Sequence, residues 1–293
     1  MSLSILAIAL HGLGLPKPMP RNPAPSNSYG QRISMRRPNT AGSVMILMYH
    51  HIAQEEKYMF RSEANFRNDL ARLDEMNYRP VTIEEYVNGK MPLPPGASPV
   101  IFTFDDSHRD QFNILDDGNV DPRSFVGVWG DFAKSHPEFP VHATFYINNN
   151  GPWGQAKWVT KKAELLKQWG CEVGNHTMTH PNMKKLTDEQ VMKEVAGCDD
   201  LIEKIGFKPN AFCYPFGNEP HNMKLIEDGF HYNGKFYKHT SATLAGDGPA
   251  WSTEDSKFSP YRIARIQAYP GDHGIDWWLD RVAEGKSSPY IAP

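Results

Sequence analysis

The sequence has almost no charge bias. Its 31 lysines and arginines stand against 34 aspartates and glutamates, a formal net charge of −3 with the 12 histidines neutral. That balance excludes a general electrostatic pull toward nucleic acid or an anionic membrane. Cysteine is scarce too. Cys171, Cys198 and Cys213 are an odd number at wide spacing, so neither a disulfide framework nor a zinc-knuckle pattern is implied. The apolar run Ser4 to Leu15, "SILAIALHGLGL", is too short to span a bilayer. No internal repeat appears, and no second linker follows Ser43.

What is present is ample apolar material. At 293 residues, 40% hydrophobic and 12% aromatic, the chain suffices for one large α/β domain or two small ones. The stretch Pro16 to Ser28 is proline-rich and reads as a linker. The expected organisation is therefore an apolar leader and linker over 1–42 and one domain over 43–293. The leader has the length of a signal-peptide core but no basic start and no clear small-x-small cleavage site. A processed leader and an export signal both fit, and an extracytoplasmic location is the favoured expectation.

Periodicity orders the rest. "VMILMYHHI" (Val44 to Ile52), "PVIFTFDD", "PVHATFYINNN" (Pro140 to Asn150), "CEVGNH", "NAFCYPFG" and "YRIARIQAY" read as strands. Helices are expected where Phe66, Leu70, Leu73 and Met76 recur at helical spacing, in "KKAELLKQWG" and in "HNMKLIEDG". A further helix starts from the capping-box pattern Thr187 to Gln190, and "GIDWWLDRVAEG" closes the chain as another. Strands alternating with helices imply right-handed βαβ units and a parallel sheet, closed or nearly closed into a barrel. His50, Asp105, Asp106, Asn148, His176 and Phe216 fall at C-terminal strand ends, the face of a parallel barrel where chemistry is assembled.

Two adjacent aspartates ending an apolar strand need an explanation, because neighbouring carboxylates repel and raise one pKa. His176 and His180, four apart, offer two imidazoles, and Asp106 offers a third ligand. Two histidines and one aspartate leave a metal open to water and substrate. One carboxylate then binds the cation while the other stands beside it, placed to act as a base.

"TFDD", "EVGNHTMTH" and "YPFG", in that order, resemble the polysaccharide deacetylase family, carbohydrate esterase family 4 or NodB-homology domain. "LMYHHI", "FRNDLARLDEMNYRPVT" and "ATFYIN" support the resemblance, which covers about Val44 to Trp278. It implies a distorted (β/α) barrel of about seven parallel strands that hydrolyses acetyl groups from N-acetylated sugars, or O-acetyl groups in some members. By position it implies that Asp105 is the catalytic base and that Asp106, His176 and His180 hold one divalent transition metal, zinc before cobalt, nickel or manganese. Phe216, with Tyr214 and Pro215, would form a groove wall and lend a backbone N–H to the oxyanion.

Departures are equally specific. Ser107 stands where the family has glycine, which could strain a turn beside the metal. His108 follows it, as an extra ligand or a neighbour of one. No arginine precedes the third motif; Arg265 could orient Asp105 instead, or simply form a surface salt bridge. The family's late Leu-x-His motif is also missing. "ILMYHHI" repeats its pattern near the start, as in circularly permuted members, making His50 the expected acid, His51 structural and His273 the fallback. The long segment Asp116 to Pro140 and the stretch "GPWGQAKW" are expected to shape a cleft, with Trp129, Trp153 and Trp158 stacking on sugar rings. The expected partner is an acetylated carbohydrate polymer or oligomer, with no nucleic acid and no stable protein partner. O-acetyl esterase activity and a catalytically silent carbohydrate-binding protein are the alternatives.

Overall fold

The structure is a computed structural model that describes residues 36–149 and 151–293. The apolar leader and the proline-rich stretch to Ser28 lie outside the described residues.

Seven parallel strands form the centre: β1 (Met45–Tyr49), β2 (Ser98–Phe104), β3 (Thr144–Ile147), β4 (Glu172–Asn175), β5 (Ala211–Cys213), β6 (Ser241–Asp247) and β7 (Ile263–Gln267). Each pairs with the next in sequence, and β1 pairs with both β2 and β7, so the sheet closes into a barrel. A three-residue strand, Tyr78–Pro80, joins the start of β2 from outside the ring.

Alternation along the strands assigns the two faces. Phe102 and Phe104 point outward to the aromatic layer that also holds Phe125, Trp129 and Phe145. Ile46, Ile101, Tyr146, Cys213 and Ile263 fill the interior with Val81, Ile83 and Tyr86. The same period turns Thr103 and then Asp105 inward.

The longer helices cover the barrel's outside. Helix α1 (Glu63–Glu75) starts where the Ser62 hydroxyl accepts from Asn65 N, and it buries Phe66, Leu70 and Leu73. Each such apolar side chain contributes about 1.5–3 kcal/mol on burial. Two further helices are α2 (Ile83–Val87) and α3 (Phe125–Ala133). Next come α4 (Val159–Gln168) and α5 (Asp188–Lys204), and α6 (Ile275–Ala283) is the last. The capping box at Thr187 and Gln190 is formed.

Four expectations need correction. The run Val44 to Ile52 is not one strand: it breaks at His50, and His51–Ala53 pairs instead with Phe60–Ser62. The segment Asp116 to Pro140 is not a cleft insertion alone, since it contains α3. Trp129 on that helix is fully buried and donates its indole N–H to Phe139 O at 3.1 Å, so it offers no ring face to a sugar. Trp153 is also fully buried, packed against Phe112 and Phe145, and is excluded from sugar stacking for the same reason.

Candidate metal centre and active site

Strand register sets the site. Tyr49 lies opposite Phe104, and Asp105 N donates to Tyr49 O at 3.0 Å, so the next residues, His50 and Asp105, stand side by side at the barrel mouth. His50 Nε2 is 3.9 Å from Asp105 Oδ2. Across β3 and β4, Ile147 pairs with Asn175, and His176 N donates to Ile147 O at 2.9 Å. The residues that follow β1, β2 and β4 thus share one level.

Turns at that level then bend sharply. Asp106, Ser107, Thr177, His180 and Phe216 all have φ between 47° and 71°. A non-glycine residue held there costs on the order of 1–3 kcal/mol, so the surroundings must over-determine it. Around Ser107 they do: its hydroxyl donates to Asn148 Oδ1 and accepts from Asn148 N, each at 3.2 Å. In the second turn the Thr177 hydroxyl accepts from His180 N at 3.1 Å.

The ligand atoms of Asp106, His176 and His180 lie within 4.8 Å of one another. Asp106 Oδ1 is 3.6 Å from His176 Nε2 and 3.4 Å from His180 Nε2. Ligands ~2.0–2.2 Å from a tetrahedral ion stand roughly 3.4 Å apart, so this donor set fits zinc or a similar cation. His176 Nδ1 donates to Cys213 O at 2.9 Å, which fixes the ring and leaves Nε2 facing the centre. Asp105, His176 and Cys213 also converge. There, however, the carboxylate is already engaged by a cation.

That cation is Arg265, fully buried on β7. Its Nη1 and Nη2 each donate to one oxygen of Asp105 at 2.8 Å. Nη1 also reaches the Thr103 hydroxyl at 2.9 Å and Nη2 the Cys213 sulfur at 3.0 Å. Of the two readings of Arg265, orienting Asp105 is therefore the one realised, and the surface salt bridge is excluded. Burial alone would raise the Asp105 pKa, but Arg265, with the nearby imidazoles, holds it well below the usual carboxylate range. Burial likewise opposes the Asp106 charge, and the neighbouring histidines override it and lower that pKa. Burial also opposes charge on His176; Cys213 and the two carboxylates outweigh it and raise the imidazole to about 10. For His180, burial and the His176 charge win, and its pKa falls. Burial pushes His50 down to about 4 despite the attraction of Asp105 and Asp106. Desolvation thus exceeds the pull of the carboxylates and favours the neutral imidazole of His50.

The remaining predicted residues divide. Phe216 is 62% exposed, with its ring edge against His180 at 4.5 Å between centroids. Tyr214 is buried, donating its hydroxyl to Tyr261 O at 3.1 Å, and Pro215 is buried too. His108 Nε2 is 3.5 Å from Asp106 Oδ2, the oxygen other than the one facing His176 and His180. It stacks on His51, whose Nδ1 bonds Asp110 at 2.9 Å. His273 lies exposed over the Trp277 ring and, among the described residues, makes no ion pair with the aspartates. Trp158 is half-buried under the ammonium groups of Lys157 and Lys161.

Two groups escaped the sequence reading. The Cys213 carbonyl and sulfur brace His176 and Arg265; the lone cysteine gave no signal. Asn148 donates to Asp106 Oδ1 at 3.3 Å, and its place at a strand end beside the aspartates was the available clue.

Residues 93–233 match the family model described as polysaccharide deacetylase, so that segment resembles the family. Over 81 residues it is 30% identical to the peptidoglycan-N-acetylmuramic acid deacetylase PdaC of Bacillus subtilis, covering 27% of this chain and 16% of that protein. The chain spans less than a third of the length of the curated relatives it matches. Among solved structures, the polysaccharide deacetylase BC0361 of Bacillus cereus superposes with a TM-score of 0.61 at 21% identity, covering 83% of this chain and 69% of that one. The Streptococcus pyogenes deacetylase PplD, solved with acetate, gives 0.59 at 18%, covering 82% and 98%. At these identities the superpositions establish the shared fold.

Proposed function

We propose that this protein is a metal-dependent hydrolase that removes acetyl groups from an N-acetylated carbohydrate polymer. The observation that carries the reading is the convergence of Asp106, His176 and His180 beside an Asp105 locked by Arg265. Asp106 and the two histidines would hold one divalent transition metal, zinc first, which when bound supplies Lewis-acid polarisation of the acetyl carbonyl and of water.

The chain's own groups do the rest. Arg265 fixes both oxygens of Asp105, so the carboxylate presents one geometry to an attacking water and takes its proton as base. The backbone N–H of Phe216, on a turn with φ of 57°, is the proposed donor to the oxyanion. His50, 3.9 Å from Asp105, is the proposed donor to the departing amine. Since burial favours its neutral form at rest, the proton it gives is the one that Asp105 takes from water and passes to it.

The family supports an acetylated polysaccharide as substrate, and the name of PdaC supports peptidoglycan as the first polymer to try. Such a polymer fits an extracytoplasmic location. The burial of His50 favours O-acetyl ester hydrolysis as a second reading: it shifts the imidazole toward its neutral form, and an alkoxide leaving group needs a proton less than an amide nitrogen does.

The test is acetate release from N-acetylglucosamine oligomers, peptidoglycan and acetylated xylan, with chelator and with added Zn²⁺ or Co²⁺. Metal-restored release from the amide substrates supports the proposal. Release from xylan alone selects the ester reading, and release from none of them contradicts both.

A further inference from the structure

The turn that carries His176 and His180 is held from behind by a buried polar chain. Asn175, the last residue of β4, uses both ends of its carboxamide. Its Oδ1 accepts from Thr177 N at 2.7 Å. Its Nδ2 donates to Val195 O at 2.8 Å and to Asp199 Oδ1 at 2.7 Å. Asp199, on α5, accepts at that same Oδ1 from His239 Nε2 at 3.0 Å. Asn175, Asp199 and His239 are all buried.

The polarity of this chain runs one way. A carbonyl and a carboxyl oxygen on α5 accept, so they draw the NH₂ of Asn175 to that side. Its oxygen is then left facing the amide of Thr177, a residue held at φ 60°. The Thr177 hydroxyl in turn accepts from His180 N. Asp199 therefore selects which end of the Asn175 carboxamide meets the turn, and His239 holds the Asp199 oxygen that does so. Neither is among the residues whose ligand atoms converge on the metal centre.

We propose that Asp199 and His239 are positioning residues for the metal centre: they set the Asn175 carboxamide, which holds the 176–180 turn in the shape that aims both imidazoles at Asp106. This rests on the proposed metal site. A purely structural pair would add stability without affecting the metal, whereas a positioning pair acts on affinity. Outer partners of ligating residues typically change metal affinity 10–100-fold.

The experiment measures the Zn²⁺ dissociation constant of the full chain, stripped of metal, by competition with a chromophoric chelator, alongside Tm. Asp199→Leu and His239→Leu should each weaken zinc about 10–100-fold. Asp199→Asn retains a carbonyl acceptor and should stay near wild type. If Asp199→Leu does not fold, His239→Leu carries the test. A lowered Tm with wild-type zinc affinity in His239→Leu would overturn the inference. So would an Asp199→Asn protein that binds as weakly as Asp199→Leu. A wild-type chain that binds no zinc would remove the site reading itself, and the positioning role with it.

Discussion

Asp105 tolerates full burial only because Arg265 meets both of its oxygens. Removing one member of such a pair leaves an uncompensated buried charge, at a cost of about 3–5 kcal/mol. Arg265→Leu should therefore lower Tm by roughly 10 °C or more. The Asp105 pKa is depressed in the folded state, so its stabilisation is present above the unfolded value of about 4 and is lost as pH falls. The Tm gap between wild type and Arg265→Leu, followed by calorimetry, should thus be wide at pH 7 and shrink below about pH 4. A gap that does not change with pH would mean that Arg265 only packs. His176 gives a second test at this scale. With its imidazole raised to about 10, metal must displace a proton to bind. Calorimetric titration in buffers of different ionisation enthalpy should show about one proton released per zinc near pH 8, with affinity falling as pH drops. Binding without proton release would contradict that assignment. The four residues placed at this centre were legible from spacing and residue type alone. Arg265 stood as one of two options, since strand periodicity cannot say that β7 turns its guanidinium toward β2.

Among the elements, those with a strong period or a cap matched their sequence. Examples are α1 behind Ser62 and α5 behind the Thr187 capping box. Two elements did not announce themselves. Strand β6, "SATLAGD", is short of bulky residues, and its parallel neighbours supply the pairing that its composition does not. Helix α3, "FVGVWGDFA", carries two glycines and lies in a segment rich in turn residues; it persists because Phe125, Val128 and Trp129 are buried. A tryptophan in such a segment looks the same in sequence whether it faces solvent or core. Its burial leads to a clear expectation: Trp129→Ala should cost about 3–5 kcal/mol of stability. It should change the KM for oligomers and for a small acetyl ester equally. A selective rise in oligomer KM, measured on folded variant, would restore it to the substrate cleft.

At the scale of the whole molecule, barrel closure brings distant segments to one mouth. His50 follows the first strand, Asp105 the second and His176 the fourth, while Arg265 reaches across from the last. Neighbouring strands in register, each ending at the same level, convert that order into one site. The central claim is that this mouth binds one metal through Asp106, His176 and His180 and uses Asp105 as the base. The most direct measurement combines metal content by mass spectrometry with acetate release from N-acetylglucosamine oligomers for wild type, Asp105→Asn and the His176→Ala/His180→Ala double variant. The account predicts one ion and release for wild type, one ion without release for Asp105→Asn, and neither for the double variant. Full metal occupancy in the double variant, or near-normal release by Asp105→Asn, would contradict it.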